Sequence, residues 1–324
     1  MYFPKNARVV FIGDSITAEA VWASCVADYF YRNCKEQGVQ FFPCAISGSD
    51  ITATLHYLRD NVLQFAPTHA VIMLGTNDLA SHLYSSGPIS EEQKKNQAEA
   101  LVKYRHRLIA LADTLRKIGL IPNLTFMSPI PFDYSAPMPE GTREGIAAID
   151  DATRYCNTIV AEVAAETDAR MIDMYTPLRP VMDDLAAQGL ALTRDRVHPT
   201  IAGYHALARV VLRGMGFDVE APTAASIADG SVMMPLSEKG QAFFEIAERR
   251  QMLFTAIFLI GRYAPDQRVE TQLAFADPYP SAALPEWYGD AEGFKNFAKR
   301  LIADLAKKEE LDEALRVAAE AMTK

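Results

Sequence analysis

Five residues of this sequence have side chains or backbone groups that suit acyl transfer. Ser15 offers a hydroxyl, and His198 offers an imidazole that can accept its proton, since serine is a weak nucleophile without a base. Asp195 lies three positions before His198, so one turn of chain can bring its carboxylate to the imidazole and fix the tautomer. Gly48 can offer an unobstructed N–H, and Asn77 an amide, to a developing oxyanion. The set predicts a nucleophilic serine mechanism.

Each of these residues also has an ordinary structural explanation. A strand that runs into Gly-Asp-Ser is typical of many turns, Gly48 suits a tight turn, and Asn77 suits a helix cap. The catalytic interpretation therefore depends on their occurrence together, each at or beyond the end of a predicted strand. We expect Asp14 to serve the turn. We also expect a structural role for the other histidines, which are His56, His69, His82, His106 and His205.

The elements that must position these residues follow from short apolar runs that alternate with longer helical patterns. The runs predict strands at 7–13, 39–48, 69–75, 120–129 and 169–175. The patterns predict helices near 18–37, 50–65, 91–118 and 144–167, and a last helix that ends near 215. Such alternation indicates an α/β fold with a parallel sheet, in which ligands bind beyond the carboxyl ends of the strands. Polar residues and glycines gather at those ends.

The pattern changes after residue 216. Residues 217–237 are linker-like in composition, and residues 238–263 and 308–322 are helical in pattern. Apolar residues cover nearly the whole circumference of 252–260, which predicts a buried helix. We therefore divide the chain into a catalytic domain, 1–216, and a mainly helical extension, 217–324, which is docked on the core or at a dimer contact.

Composition excludes several classes of function. The 324 residues carry a net charge of -9 without a Lys/Arg cluster, which disfavours nucleic acid and anionic membranes as partners. Four cysteines without zinc spacing or C-x-x-C pairs predict free thiols rather than a metal site or a disulfide scaffold. The longest apolar run, 252–261, is too short to span a bilayer, and the first residues do not form a signal peptide. We expect a cytoplasmic protein.

Four motifs resemble the signature blocks of the SGNH (GDSL-like) hydrolases: GDSIT, SGSD, GTND and DRVHPTIAGYHALA. The resemblance covers about residues 7–215. It implies a flavodoxin-like three-layer α/β/α sandwich with a five-stranded parallel sheet. It also implies hydrolysis of esters or thioesters through an acyl-enzyme, with no metal or organic cofactor. The matching positions imply Ser15 as nucleophile, Gly48 and Asn77 as oxyanion donors, His198 as base and Asp195 as its partner.

Three other classes match the sequence less well. An α/β-hydrolase would carry G-x-S-x-G, and GDSIT lacks the second glycine. A metallophosphoesterase would need several histidines near GTND, where His82 alone is close. A catalytically silent carbohydrate-binding module would need a visible cause for lost activity, and all five groups are present.

The sequence leaves the substrate open among several esters. The core has no long apolar lid helix, so small acyl esters, especially acetyl groups on sugars, are our leading expectation. A thioesterase or a lysophospholipase is the alternative. In the Pro-rich segment 129–144, Phe132 and Tyr134 are either wall residues of the site or part of an ordinary surface loop. The aromatic loop 277–290, with Trp287, either leans over the site or forms a homodimer contact.

Overall fold

The central feature of the fold is a five-stranded sheet in which every neighbouring pair of strands is parallel. The computed structural model describes residues 2–79, 84, 90–133, 143–263 and 307–324, with the backbone alone for 143–147 and 260–263. The strands are β1 (Arg8–Gly13), β2 (Gln40–Pro43), β3 (His69–Met73), β4 (Asn123–Met127) and β5 (Arg170–Ile172). Their order across the sheet is β2-β1-β3-β4-β5, the flavodoxin-like order. The predicted fold class is confirmed.

The α-helices of the described residues follow the strands in regular alternation up to residue 214. They are α1 (Ser15–Ala18), α2 (Val21–Cys34), α3 (Ile51–His56), α4 (Leu58–Asn61), α5 (Glu91–Lys117), α6 (Arg143–Glu166), α7 (Tyr175–Ala187), α8 (Ile201–Gly214), α9 (Ala224–Ala228), α10 (Glu238–Tyr263) and α11 (Lys308–Ala321). Helix α2 contacts α8, and helix α5 contacts both α3 and α6. These are the two sets expected to cover opposite faces of a doubly wound sheet.

Burial on both faces explains why the strands are apolar throughout rather than alternating. In β1, each of the four central side chains is exposed by 1% or less. The order in which the strands are added reverses between β1 and β3, because β2 lies on one side of β1 and β3 lies on the other. In this fold class, ligands bind at that switch point. Ser15 follows β1 and Asn77 follows β3, so both lie beside it.

Two elements differ from the sequence expectations. The helix predicted over 50–65 is divided at Tyr57, where the backbone leaves helical geometry. The Tyr57 ring is buried and contacts the Phe258 ring edge-on, and tertiary packing of this kind overrides local helix propensity. No helix was predicted for α7, which contains Pro177 and Pro180. Both prolines lie in its first half, where fewer helical hydrogen bonds are lost.

The described residues beyond 216, which are 217–263 and 307–324, pack against the sheet and its helices. Segment 217–237, which is linker-like in composition, is held at Val232, whose side chain is fully buried and whose carbonyl accepts a hydrogen bond from Arg209 Nε at 2.8 Å. Helix α10 contacts α1, α2 and β2, and α11 contacts α10 and β2. The division into two domains stays a prediction. Residues 264–306, including the loop 277–290, lie outside the described residues.

A buried arginine joins these last helices to the edge of the sheet. Arg250 of α10 is fully buried and forms an ion pair with Asp312 of α11 at 2.7 Å. Its Nη1 donates to Asn61 Oδ1 at 2.9 Å, and Lys308 Nζ lies 2.7 Å from the second oxygen of Asp312.

Among the helices that the structure describes, none has both the length and the apolar character needed to cross a bilayer.

Candidate active site

The turn after β1 places Ser15 at the first position of a helix. A side chain at Gly13 would put its Cβ 2.3 Å from Thr17 Oγ1 and 3.0 Å from the Met73 carbonyl, so glycine is needed here for space. Asp14 caps α1, because its Oδ1 accepts the Ile16 N–H at 3.1 Å. The Ser15 N–H belongs to the first turn of a helix, where backbone donors have no intrahelical partner.

Asp195 and His198 lie in a tight loop that is closed by an antiparallel bridge between Thr193 and Pro199. Arg196, inside this loop, has a φ of 80°, a left-handed conformation that is uncommon for a residue with a Cβ. The loop brings Oδ1 of Asp195 to 2.8 Å from the backbone N–H of His198. A strained residue between two site residues is typical of functional loops.

Ser15, His198 and Asp195 form one continuous series of hydrogen bonds. His198 Nε2 lies 2.8 Å from Ser15 Oγ, and His198 Nδ1 lies 2.7 Å from Asp195 Oδ2. With Nδ1 protonated and donating to the carboxylate, Nε2 is free to accept the serine proton. Burial tends to raise the pKa of Asp195, but hydrogen bonds from His198 outweigh it and lower that pKa. The carboxylate therefore stays ionised at neutral pH.

Asp133 anchors the loop that carries Asp195 and His198, and it was not among the residues predicted from the sequence. Its fully buried carboxylate accepts hydrogen bonds from the backbone N–H groups of Leu192 and Thr193, both at 3.2 Å, and from the Thr193 hydroxyl at 3.1 Å. Its own N–H donates to the Arg196 carbonyl at 3.0 Å. The available signal was an acid inside a Pro-rich, aromatic loop at the active edge of the sheet.

The loop that carries Gly48 is tied to both β1 and the loop after β3. The Ile46 N–H and the Ser49 hydroxyl both donate to the Gly13 carbonyl, at 3.1 and 3.3 Å. Asn77 Nδ2 donates to the Ser49 carbonyl at 2.8 Å. Gly48 has a φ of 79°, a left-handed conformation that glycine adopts without strain. The structure thus brings the three predicted strand-end loops together.

Donors remain available for an oxyanion in this arrangement. The N–H of Gly48 has no acceptor among the described residues. The Asn77 amide has two N–H groups, and the hydrogen bond to Ser49 uses one of them. Both Gly48 and Asn77 are exposed, whereas Ser15 is half-buried. These donors and the Ser15 N–H can face a substrate that approaches from solvent.

Two buried acids lie beneath the site. Burial raises the pKa of Asp14 to about 6, although its hydrogen bonds and the charge of His198 oppose the shift. Burial and the neighbouring charge of Asp50 raise the pKa of Asp78 to about 7, and Arg107 opposes this shift. Arg107 Nη1 lies 3.4 Å from Asp78 and 3.5 Å from Asp50. Asp14 and Asp78 directly adjoin Ser15 and Asn77 in the chain, and Asp78 Oδ1 accepts the Ile51 N–H at 3.3 Å.

A mostly apolar pocket opens beside Ser15. Ile16 and Thr76, which adjoin Ser15 and Asn77 in the chain, are among the residues that line this pocket. Phe132, one of the two predicted wall residues, lines it, and Tyr134 lies outside the described residues. The lining residues are Ile16, Thr76, Leu79, Ile130, Pro131, Phe132, Ile149, Thr153, Arg196 and Val197. Such a pocket suits an apolar group of small size next to a reacting carbonyl.

Helix α10 also reaches the site, which the sequence analysis did not predict. Gln251 and Thr255 accept hydrogen bonds from two N–H groups of the Gly48 loop, at 2.9 and 3.0 Å. The signal in the sequence was Thr255, a polar residue inside the apolar run 252–261, spaced by four from Gln251 so that both lie on one face of the helix. In the described part of the chain, no group of three or more His, Cys, Asp or Glu side chains is arranged to hold a metal ion.

Comparison with known proteins gives similar folds and one related enzyme. An acetylxylan esterase of Geobacillus stearothermophilus is 25% identical over 233 residues, which is 67% of this chain and 98% of that protein. The crystal structure of Axe2, an acetylxylan esterase from the same organism, is 24% identical with a TM-score of 0.52 and covers 68% of this chain and 100% of its own.

A second solved structure extends the likeness along nearly the whole chain. BT4096, a gut microbial diltiazem-metabolizing enzyme, has a TM-score of 0.69 and covers 99% of this chain and 96% of its own, at 13% identity. At this identity the likeness establishes the fold alone.

The profile of the GDSL-like Lipase/Acylhydrolase family matches residues 11–206. That range contains the first three motifs, the fourth motif up to Ala206, and every residue of the series Ser15, His198 and Asp195. The resemblance seen in the sequence is therefore confirmed. The chain belongs to the GDSL-like lipase/acylhydrolase family and is a carboxylic ester hydrolase.

Proposed function

We propose that this chain hydrolyses acetyl esters on carbohydrate hydroxyl groups through an acyl-serine intermediate at Ser15. The observation that carries the proposal is the series of hydrogen bonds from Ser15 Oγ through His198 to Asp195, at 2.8 and 2.7 Å. A hydroxyl, an imidazole and a carboxylate in this order are the groups that nucleophilic catalysis by serine requires.

The reaction has two balanced halves in this geometry. Ser15 Oγ attacks the ester carbonyl while His198 Nε2 takes the hydroxyl proton, and the oxyanion forms near the N–H groups of Ser15 and Gly48 and the amide of Asn77. His198 then gives the proton to the departing sugar oxygen, which leaves acetyl-Ser15. In the second half His198 takes a proton from water as the water oxygen attacks the acetyl carbon, and the proton returns to Ser15 Oγ as acetic acid leaves, which then ionises to acetate in solvent.

Related proteins support both the residues and the substrate class. The relative with 25% identity is an acetylxylan esterase. Solved catalytic mutants of Axe2 replace a serine, an aspartate and a histidine, and the aspartate stands three positions before the histidine. Asp195 and His198 have the same spacing here. This agreement supports the assignment of Ser15, Asp195 and His198 as catalytic residues. The proposal of Gly48 and Asn77 as oxyanion donors is supported by their available N–H groups near Ser15.

The pocket beside Ser15 favours a small acyl group. Ile130, Phe132 and Ile149 are among the side chains that line it. An acetyl group fits such a pocket, whereas a thioesterase or lysophospholipase for long acyl chains needs a longer apolar channel.

The experiment is a substrate panel with wild type and Ser15→Ala side by side. It contains p-nitrophenyl esters with two to twelve carbons, a matched thioester, a lysophospholipid and acetylated xylo-oligosaccharides. We expect the acetyl esters to be the best substrates and Ser15→Ala to reduce kcat by about 10³-fold or more. Ser90→Ala, which removes an exposed helix-cap hydroxyl, is the matched control.

Three outcomes would contradict the proposal. An unchanged kcat in Ser15→Ala would remove the serine mechanism. A clear preference for the twelve-carbon ester, the thioester or the lysophospholipid would replace the acetylesterase with the alternative. Ester hydrolysis at the background rate together with glycan binding would favour the silent module.

A cytoplasmic location and a homodimer are further proposals from the sequence. The location is supported by the four cysteines, which are free thiols. Cell fractionation tests the location, and light scattering of the purified chain tests the dimer. A monomer of 35.8 kDa would contradict the second proposal.

A further inference from the structure

From Cys44 to Ile46 the chain continues the pairing of β2 with β1, and a turn from Ile46 to Ser49 follows, closed by the Ser49 N–H on the Ile46 carbonyl at 3.1 Å. The Ile46 N–H points inward and donates to the Gly13 carbonyl of β1 at 3.1 Å. The N–H groups of Ala45 and Ser47 point outward, away from β1. β2 is the outermost strand of the sheet, so no strand accepts these two hydrogen bonds.

Helix α10 takes the place of that missing strand. The Ala45 N–H donates to Gln251 Oε1 at 2.9 Å, and the Ser47 N–H donates to Thr255 Oγ1 at 3.0 Å. Four residues of helix rise about 6 Å, and two residues of extended chain rise about 6.6 Å. The spacing of Gln251 and Thr255 therefore matches the spacing of the two donors. Ser47 directly precedes Gly48, whose N–H is a proposed oxyanion donor.

Gln251 also holds the helix that carries the nucleophile. Its Nε2 donates to the carbonyls of Ala18 at 2.9 Å and Thr17 at 3.3 Å, which lie at the end of α1. Ser15 is the first residue of that same short helix. The Gln251 side chain is completely buried, and its three hydrogen bonds use its acceptor and both donors. One amide thus connects the Ser15 helix to the Gly48 loop.

The next turn of α10 reaches Gly48 itself. A Cβ on Gly48 would lie 3.6 Å from Cε1 of Phe258. The buried Phe258 ring meets Tyr57 edge-on, with ring centroids 6.1 Å apart. Three successive turns of α10 therefore contact the loop that precedes and includes Gly48.

We propose that Gln251 and Thr255 are positioning residues, which set the Gly48 N–H at its working distance from Ser15. The C-terminal region then completes the oxyanion-binding half of the active site rather than serving only as a cover. The inference rests on the proposed function. Because the oxyanion exists only in the transition state, displaced donors lower kcat and leave KM nearly unchanged.

The test compares kcat and KM for p-nitrophenyl acetate in wild type, Thr255→Val, Thr255→Ser and Gln251→Met. Each rate is divided by the concentration of active sites titrated with a phosphonate, so that a smaller folded fraction does not count as lost kcat. We expect kcat to fall about 10-fold in Thr255→Val and about 10- to 100-fold in Gln251→Met, with KM within about 2-fold. Thr255→Ser keeps the acceptor and should restore kcat to within about 2-fold of wild type.

Two variants that remove the same kinds of polar group, an amide and a hydroxyl, away from the site serve as controls. Gln241→Met removes an exposed amide of α10 that contacts Glu245, and Thr114→Val removes an exposed hydroxyl of α5. Both should keep kcat within about 2-fold.

The inference is overturned if Thr255→Val keeps the wild-type kcat, changes KM alone, or is not rescued by Thr255→Ser. If Gln251→Met does not fold, the Thr255 pair decides the question. A wild type without esterase activity overturns the proposed function, and this inference with it. An active wild type with unaffected variants overturns this inference alone.

Discussion

His198 Nε2 lies 2.8 Å from Ser15 Oγ, although the two residues are 183 positions apart in the chain. The fold creates this contact by ending β1 at the switch point of the sheet and returning the chain there just before α8. Asp195 adds a second hydrogen bond at 2.7 Å from the other side of the imidazole. The first prediction concerns this second bond.

Asp195→Asn should reduce kcat by about 10²- to 10⁴-fold, because an amide cannot serve both the backbone N–H groups and the imidazole as the carboxylate does. Steady-state kinetics with an acetyl ester measure the change. Asp229→Asn is the control, since Asp229 also accepts a backbone N–H in an exposed turn, from Ser231 at 2.8 Å. Equal activity of the two variants would contradict the role of Asp195.

Asn77→Ala should reduce kcat by about 10²- to 10³-fold, as the loss of one oxyanion donor does in other acyl transfer enzymes. Asn123→Ala is the matched control, because Asn123 Nδ2 donates to the Thr68 carbonyl at 3.1 Å at the opposite end of the sheet. Steady-state kinetics that extend to saturating substrate separate a change in kcat from a change in KM. A rise in KM without a fall in kcat would make Asn77 a substrate-binding residue instead.

Asp78→Asn should alter how stability depends on pH. The pKa of Asp78 is raised from 3.8 to about 7 in the folded chain, so between these values the native state binds more protons than the unfolded state. The wild type therefore loses stability as pH rises through this window, and full stability from this group is present only below it. Asn cannot ionise, so the variant should gain about 1–3 kcal/mol relative to wild type between pH 5 and 8.

Urea unfolding at the two pH values measures this difference, which does not depend on the absolute cost of the substitution. Asp113→Asn, at an exposed position of α5 paired with Lys117, is the control and should leave the pH dependence unchanged. Parallel stability curves for wild type and Asp78→Asn would contradict the raised pKa.

Asp312→Ala should destabilise the fold by about 3–5 kcal/mol, because it leaves the buried guanidinium of Arg250 without its carboxylate. Denaturant unfolding measures the change. Glu313→Ala breaks the exposed ion pair with Arg316 and should cost no more than about 0.5 kcal/mol. If both variants unfold at the same midpoint, the buried pair does not hold the last helices to the sheet.

The sequence predicted the parts of this structure that depend on short motifs and local periodicity. Ser15, Gly48 and Asn77 were predicted to lie together because parallel strands place their carboxyl ends at one edge, and the structure brings their loops together. Asp195 was found because its spacing from His198 closes a turn. These inferences need only the period of the strands and the length of a turn.

Apart from the contact of His198 with Ser15, the contacts between distant segments discussed above were not predicted from the sequence. Gln251 accepts a hydrogen bond from the Ala45 N–H, although the two residues are 206 positions apart. Neither segment contains a sequence feature that indicates this contact. Tyr57 divides a helix because its ring packs against Phe258, and Asp133 supports a loop some 60 positions away. In each case a tertiary contact decides the structure, and a single sequence shows only that a polar or aromatic residue stands in an unusual place.

The central claim, that Ser15 is the nucleophile, is tested most directly by mapping a covalent adduct. Wild type and Ser15→Ala are treated with a fluorophosphonate, and intact masses are followed by fragmentation of the tryptic peptide 9–32, which contains both Ser15 and Ser24. We predict one adduct per wild-type chain, located on Ser15, and none in the variant. An adduct on another residue would contradict the account. So would a wild type that has been treated with the fluorophosphonate, carries no adduct and keeps its full esterase activity.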